Sequence, residues 1–209
     1  MINQYRYSEQ QRLTLQCGPA LPAAQSLLQL AGQQQLLAQL AAEPTAQQLL
    51  VATEQAYQAG YEQQASTEFE LQGLAIAGVG DPLLHVELLT QLLPAFKNQR
   101  HGVPVTLVSY GLVSPAAAPA LCQQLIELGV EKLELYLPAT NPPAYQQAVQ
   151  PTQYGFSELC QFIHTASEAG LFVSCFAFAP CRQAAELRAL ARELGARAFM
   201  VKDQGLSSS

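Results

Sequence analysis

The chain has 209 residues, a formal charge of -6 and a pI near 5.0, and 49% of it is hydrophobic. That is enough apolar material for one substantial core, so a single domain over 1–209 is expected, with 1–10 and 205–209 as flexible ends. The acidic balance leaves no basic stripe for a nucleic-acid backbone, and no apolar run approaches the roughly 20 residues that span a bilayer, so neither nucleic acid nor membrane is expected as a partner.

The start, MINQYRYSEQQR, is polar and does not read as a signal peptide. Five cysteines without a disulfide-like framework read as reduced thiols in a cytoplasmic protein. Arg12–Gln16 (RLTLQ) is a short strand, and Cys17–Pro22 is a loop. Leu27, Leu30, Leu37 and Leu40 recur at helical spacing in Ala23–Ala42. Pro44 opens a second helix, with Gly60 as its stop, and Tyr61–Glu70 is a polar loop. Leu74–Ala77 is a buried strand, followed by a helix over Leu83–Asn98. Val103–Ser109 is the next strand, and a helix runs from Ser114-Pro115 to Gly129. Lys132–Leu137 (KLELYL) is a strand leading into a Pro-rich loop, and Tyr145–Thr152 is a short helix or turn. Phe156–Ala169 is helix, Leu171–Phe178 strand, Pro180–Leu194 helix and Ala198–Val201 the last strand. This alternation predicts an α/β fold of parallel strands joined by crossover helices. Two architectures fit: an open doubly wound sheet, or a curved, six-stranded partial barrel.

The stretch Leu71–Leu84, LQGLAIAGVGDPLL, organises the rest. An apolar strand passes into Gly78-Val79-Gly80-Asp81-Pro82 and then into helix. Asp81 suits an N-cap and Pro82 the first helical position, where its missing N–H would have no partner. Gly78 and Gly80 let a ligand approach the backbone, and α/β folds place ligands at the carboxyl ends of strands. The competing reading is a plain strand-to-helix turn with a good cap.

These residues resemble the radical SAM superfamily, and within it the TatD-associated radical SAM proteins. Gly78–Leu84 is similar to the family's glycine-rich, acidic-then-proline motif after its second strand, with Asp81 where the family usually has Glu. Val105–Gly111 (VTLVSYG) resembles the third strand, with Ser109-Tyr110 in place of Thr-Asn. Leu135–Pro151 resembles the fourth strand and its sequel, with Tyr136 where the family has Ser. Ala42–Leu49 (AEPTAQQL) resembles the Glu-Pro-Ser segment before the first full crossover helix. The resemblance implies a partial (β/α)6 TIM-like barrel. It also implies that Gly78, Gly80, Asp81, Pro82, Ser109, Tyr110, Glu134 and Tyr136 line or rim one cofactor-type cavity.

The departure falls on the cluster motif. The family holds its [4Fe-4S] cluster with C-x3-C-x2-C after the first strand, whereas here Cys17 is followed at those positions by Leu21 and Ala24. Neither can bind iron, which needs thiolates. No metal and no cluster are therefore expected. S-adenosylmethionine binding is expected to be weak or absent, because Tyr110 and Tyr136 are bulkier than the residues they replace. The expected function is a non-catalytic barrel that binds a small molecule or a protein partner.

Three alternatives stay open. One is an enzyme of another type, using Asp81 and Glu134 as acid and base. Another is retention of S-adenosylmethionine without cluster chemistry. The third is a homodimer or heteromer formed through an open barrel edge. In KLELYL the leucines are expected to face the helices and Glu134 and Tyr136 the barrel interior. Lys202-Asp203 closes the last strand as solvated charges, and Cys122, Cys160, Cys175 and Cys181 read as small hydrophobes. His85, His101 and His164 share no ligand spacing.

Overall fold

The computed structural model describes residues 5–7, 12–16, 45–64, 73–77, 81–151 and 153–202. The described strands are β1 (Tyr5–Tyr7), β2 (Arg12–Gln16), β3 (Gly73–Ala77), β4 (Val105–Ser109), β5 (Val130–Tyr136), β6 (Phe172–Phe178) and β7 (Ala198–Lys202). They form one sheet whose spatial order is the chain order. β1 pairs antiparallel with β2, and every later neighbour pair is parallel. A doubly wound sheet reverses its strand order partway, and this one does not. Right-handed crossovers in a single direction put the helices on one face and curl the sheet towards a barrel. β1 and β7 are its edges, and no pairing among the described residues joins them.

The helices are α1 (Ala46–Gln64), α2 (Val86–Gln99), α3 (Ala118–Glu127), α4 (Pro142–Val149), α5 (Phe156–Glu168) and α6 (Ala184–Glu193). Local chemistry sets their starts. Thr45 and Gln48 form a reciprocal capping box: the Thr45 N–H donates to Gln48 Oε1 (2.9 Å) and the Gln48 N–H to Thr45 Oγ1 (3.2 Å). Asn141 accepts from the Ala144 N–H at 3.0 Å and places Pro142 in the first turn of α4.

Register separates the two faces of the sheet. Leu74, Ile76, Val105, Leu107, Leu133, Leu135, Val173 and Cys175 share one face and are fully buried against helix residues such as Leu89, Leu92, Leu159 and Ile163. Fully burying each such aliphatic side chain is worth about 1.5–3 kcal/mol. The other face carries Thr106, Lys132, Glu134, Tyr136, Ser174, Phe176, Met200 and Lys202. The leucines of KLELYL thus face the helices, and Glu134 and Tyr136 face the interior.

Several boundaries differ from the sequence reading. Gly60 does not stop α1, which runs to Gln64 through part of the expected loop. An interior glycine costs only about 1 kcal/mol against alanine and does not by itself end a helix. Asp81-Pro82 does not open α2. It opens a single 3-10 turn, Pro82–Leu84, and the α-helix begins after His85. α6 begins at Ala184, because Pro180–Gln183 form a bend and turn instead. The Tyr5–Tyr7 strand lies within the segment expected to be flexible. Ala23–Ala42, Gly78–Gly80 and Asp203 lie outside the described residues.

Candidate functional site

The carboxyl ends of β3 and β4 meet at Asp81. Its side chain is only 3% exposed. Oδ1 accepts from the Leu83 N–H at 3.0 Å, which caps the 3-10 turn. Oδ2 accepts from the Ser109 hydroxyl at 2.8 Å and from the Tyr110 N–H at 2.9 Å. Ser109 Oγ in turn accepts from the Gly111 N–H at 2.8 Å. Asp81 therefore fastens the loop after β3 to the end of β4. Burial raises its pKa above the usual 3.8, against the opposing pull of Ser109, Leu83, Tyr110 and His85.

Gly111 belongs to the same fastening. Its φ is +67°, and a Cβ there would lie 2.8 Å from Leu159 Cδ1. Only glycine meets both the left-handed backbone and the close approach of α5.

Aromatic rings fill the interior beside this fastening. Tyr110 and Tyr136 meet edge-on with centroids 6.0 Å apart, and Tyr136 lies 5.5 Å from both Phe176 and Phe178. Tyr110 and Tyr145 are fully buried, and their hydroxyls have no hydrogen-bond partner among the described residues. Burial raises the pKa of both, and the Asp81 charge adds to it. The Tyr136 pKa is pushed up to about 12 by burial and, secondarily, by Cys181, so its hydroxyl keeps its proton at neutral pH.

Deeper in the interior, Glu134 is 1% exposed and lies between two lysines. Lys132 Nζ is 3.0 Å from Oε1 and Lys202 Nζ is 2.6 Å from Oε2, and the lysine side chains are 29% and 33% exposed. Lys202 Nζ also lies 4.0 Å from the Phe176 ring centroid. Glu134 is thus buried and ion-paired, while Asp81 is bonded to Leu83, Ser109 and Tyr110. Each carboxylate is committed to its own neighbours. Lys202, read as a solvated end charge, is part of the interior. Alternation along β7 carries that signal, since Lys202 shares the parity of Met200.

The structure brings Asp81, Pro82, Ser109 and Tyr110 together, and it places Tyr136 beside Tyr110. Gly78 and Gly80 lie outside the described residues. The cavity at this end of the barrel lies further along, at the ends of β5 and β6. It is a groove of about 500 Å3, lined by Tyr136, Pro138, Phe178, Cys181, Arg182 and Gln183. Of these, only Tyr136 was singled out as a site residue from the sequence. The Arg182 and Gln183 side chains are exposed there.

The positions that the cluster motif would occupy, Cys17, Leu21 and Ala24, lie outside the described residues. Among the described residues, no group of three His, Cys, Asp or Glu side chains could hold a metal ion. Cys122 and Cys160 lie on helices and Cys175 on the helix-facing side of β6. Burial pushes these thiols up to about 11, 11 and 12, so they stay protonated at neutral pH.

No protein-family model matches the sequence, and no curated protein sequence matches it significantly. Solved structures do match the fold. Methylornithine synthase (PylB) superposes with a TM-score of 0.50 at 15% identity, covering 72% of this chain and 45% of that one. A putative phosphonomutase from Burkholderia cenocepacia J2315 gives a TM-score of 0.40 at 15% identity, covering 68% of this chain and 63% of that one. An enolase from Gibberella zeae PH-1 gives 0.42 at 12% identity, covering 75% and 35%. The chain therefore spans less than half the length of methylornithine synthase, and what it shares with that enzyme is the parallel β/α architecture.

Proposed function

We propose that the chain is a small-molecule-binding barrel of radical-SAM-like descent that does not carry out cluster chemistry. The observation that carries this reading is the groove at the ends of β5 and β6. It lies where barrels of this kind place their ligands, and its volume is that of a small-molecule site. Its chemistry indicates the ligand class. Phe178, Pro138 and Pro180 offer an apolar wall, while the Tyr136 hydroxyl, the Gln183 amide and the Arg182 guanidinium offer donors. A compact ligand with an apolar body and an acidic group matches that set.

The likeness of fold to methylornithine synthase, a radical SAM enzyme, supports the descent. Leu21 and Ala24 at the second and third cluster positions support the loss of the cluster. The engagement of Asp81 by three donors of its own chain, and the rings of Tyr110 and Tyr136, support weak or absent S-adenosylmethionine binding.

The test is a thermal-shift screen of small carboxylates and phosphates, followed by calorimetry on the hits and on S-adenosylmethionine. Arg182→Gln and Tyr136→Phe are expected to weaken a hit about tenfold each, the loss of one charge-assisted or neutral hydrogen bond. Hits indifferent to both substitutions would overturn the groove assignment. A stable stoichiometric cluster after anaerobic reconstitution would overturn the loss of cluster chemistry.

A further inference from the structure

A second cavity lies on the opposite, helix-covered side of the sheet, at the beginning of β7. It is about 470 Å3 and is lined by Ala189, Arg188, Arg192, Arg197, Ala198 and Phe199, among others. It shares no residue with the groove at the ends of β5 and β6. Arg188 and Arg192 stand one turn apart on α6, and Arg197 comes from the α6–β7 connection.

The charge inventory makes this grouping unusual. The chain has only ten lysines and arginines against 16 acidic residues. Among the described side chains, Lys97, Arg100, Lys132 and Lys202 are each paired with a glutamate. Arg182 lines the other groove. The remaining three, Arg188, Arg192 and Arg197, all line this one cavity and, among the described residues, have no carboxylate in ion-pair contact. Glu186 and Glu193 sit on the same helix without bridging to them. Like charges one turn apart repel, so the arrangement is destabilising until an anion lies between them. The Arg197 guanidinium lies 5.5 Å from the Phe172 ring, on the face of the sheet that carries Lys132, so Arg188 and Arg192 are the two arginines that α6 holds at the cavity.

We propose that the cavity between α6 and the start of β7 is a binding site for a compact polyanion, a ligand with two or more closely spaced phosphate or carboxylate groups. Guanidinium groups pair with such oxyanions through two parallel hydrogen bonds each, and two of them one helical turn apart match two closely spaced oxyanions. Alanines of α6 and β7 and Phe199 complete the lining. The cavity volume fits a small molecule rather than a long chain segment.

Calorimetric titration of the full chain with inorganic pyrophosphate, and separately with citrate, tests the site at low salt and again at physiological salt. The expected result is a site with submillimolar affinity for at least one of the two, told apart from any binding in the groove at the ends of β5 and β6 by its response to substitution. Arg188→Gln and Arg192→Gln should each weaken it about tenfold, while Arg182→Gln, which weakens ligands of that groove, leaves it unchanged. All three positions are exposed, so circular dichroism should show the variants folded. Preference for pyrophosphate over citrate identifies the source as a phosphate ligand, and the reverse identifies a polycarboxylate. Absence of binding in the folded wild type overturns the proposal. So does affinity that Arg188→Gln and Arg192→Gln leave intact. Response only to an acidic β-strand peptide, with no response to either small anion, would also overturn it and point to strand addition at the β7 edge.

Discussion

Desolvation and hydrogen bonding act on Asp81 in opposite directions, and desolvation is the larger. Its folded pKa therefore lies above its unfolded value. The stability it contributes is fully present below about pH 4 and is lost as pH rises through the raised folded value. Asn in its place cannot titrate. An amide also supplies one acceptor oxygen where the carboxylate serves three donors, Leu83 N–H on one side and Ser109 O–H and Tyr110 N–H on the other. Asp81→Asn is expected to lower stability by about 1–3 kcal/mol at neutral pH, the cost of leaving a buried donor unpaired. The gap to wild type should widen as pH falls towards 4. Urea unfolding across that range measures it, and a gap that instead grows with rising pH contradicts the assignment. The cap itself was legible in the sequence, because Asp-Pro before a helical pattern is a local signal. The use of the same carboxylate to fasten Ser109 and Tyr110 was not, because those partners lie 28 and 29 residues away and only the fold brings them in.

The strands show how far periodicity reaches and where it stops. Alternation in KLELYL places Glu134 and Tyr136 on the interior face, and the register of β5 with β4 and β6 has them there. What alternation cannot give is the identity of Glu134's partners, which come from its own strand and from β7. The helices show the converse. Gly60 carries a stop signal that is too weak to end the helix, and Arg188, Arg192 and Arg197 line one cavity only because α6 lies against β7. Glu134→Gln tests the interior charges. It leaves Lys132 and Lys202 facing an uncharged amide, and it is expected to cost about 1–3 kcal/mol. That is below the usual price of breaking a buried pair, because both ammonium groups remain partly in water. Denaturant midpoints at neutral pH read this directly, and an unchanged midpoint would show that the pairs contribute nothing.

Across the whole molecule, strand order equals chain order, so each β/α unit packs on the units adjacent to it in sequence. Such a sheet needs something other than neighbour pairing to set how tightly it curls. The Lys202–Glu134 pair runs diagonally from β7 to β5 past β6, where Glu134 is in register with Ser174 and Lys202 with Phe178. Adjacent strands are about 4.8 Å apart, so second neighbours on a flat sheet stand about 10 Å apart. An ion pair across that gap is a chord, and a chord is shortest on the inside of an arc. Lys202→Met keeps the stem over Phe176 but cuts the chord. Among the described residues, the last strand then keeps its rungs to β6 and its packing under α6. Its amides should exchange with solvent faster than in wild type, while those of β4 and β5 keep their protection, and equal rates along β7 in the two proteins would show that the curvature is set elsewhere. The position of an ammonium group near the end of the chain would then decide how wide the barrel stands open.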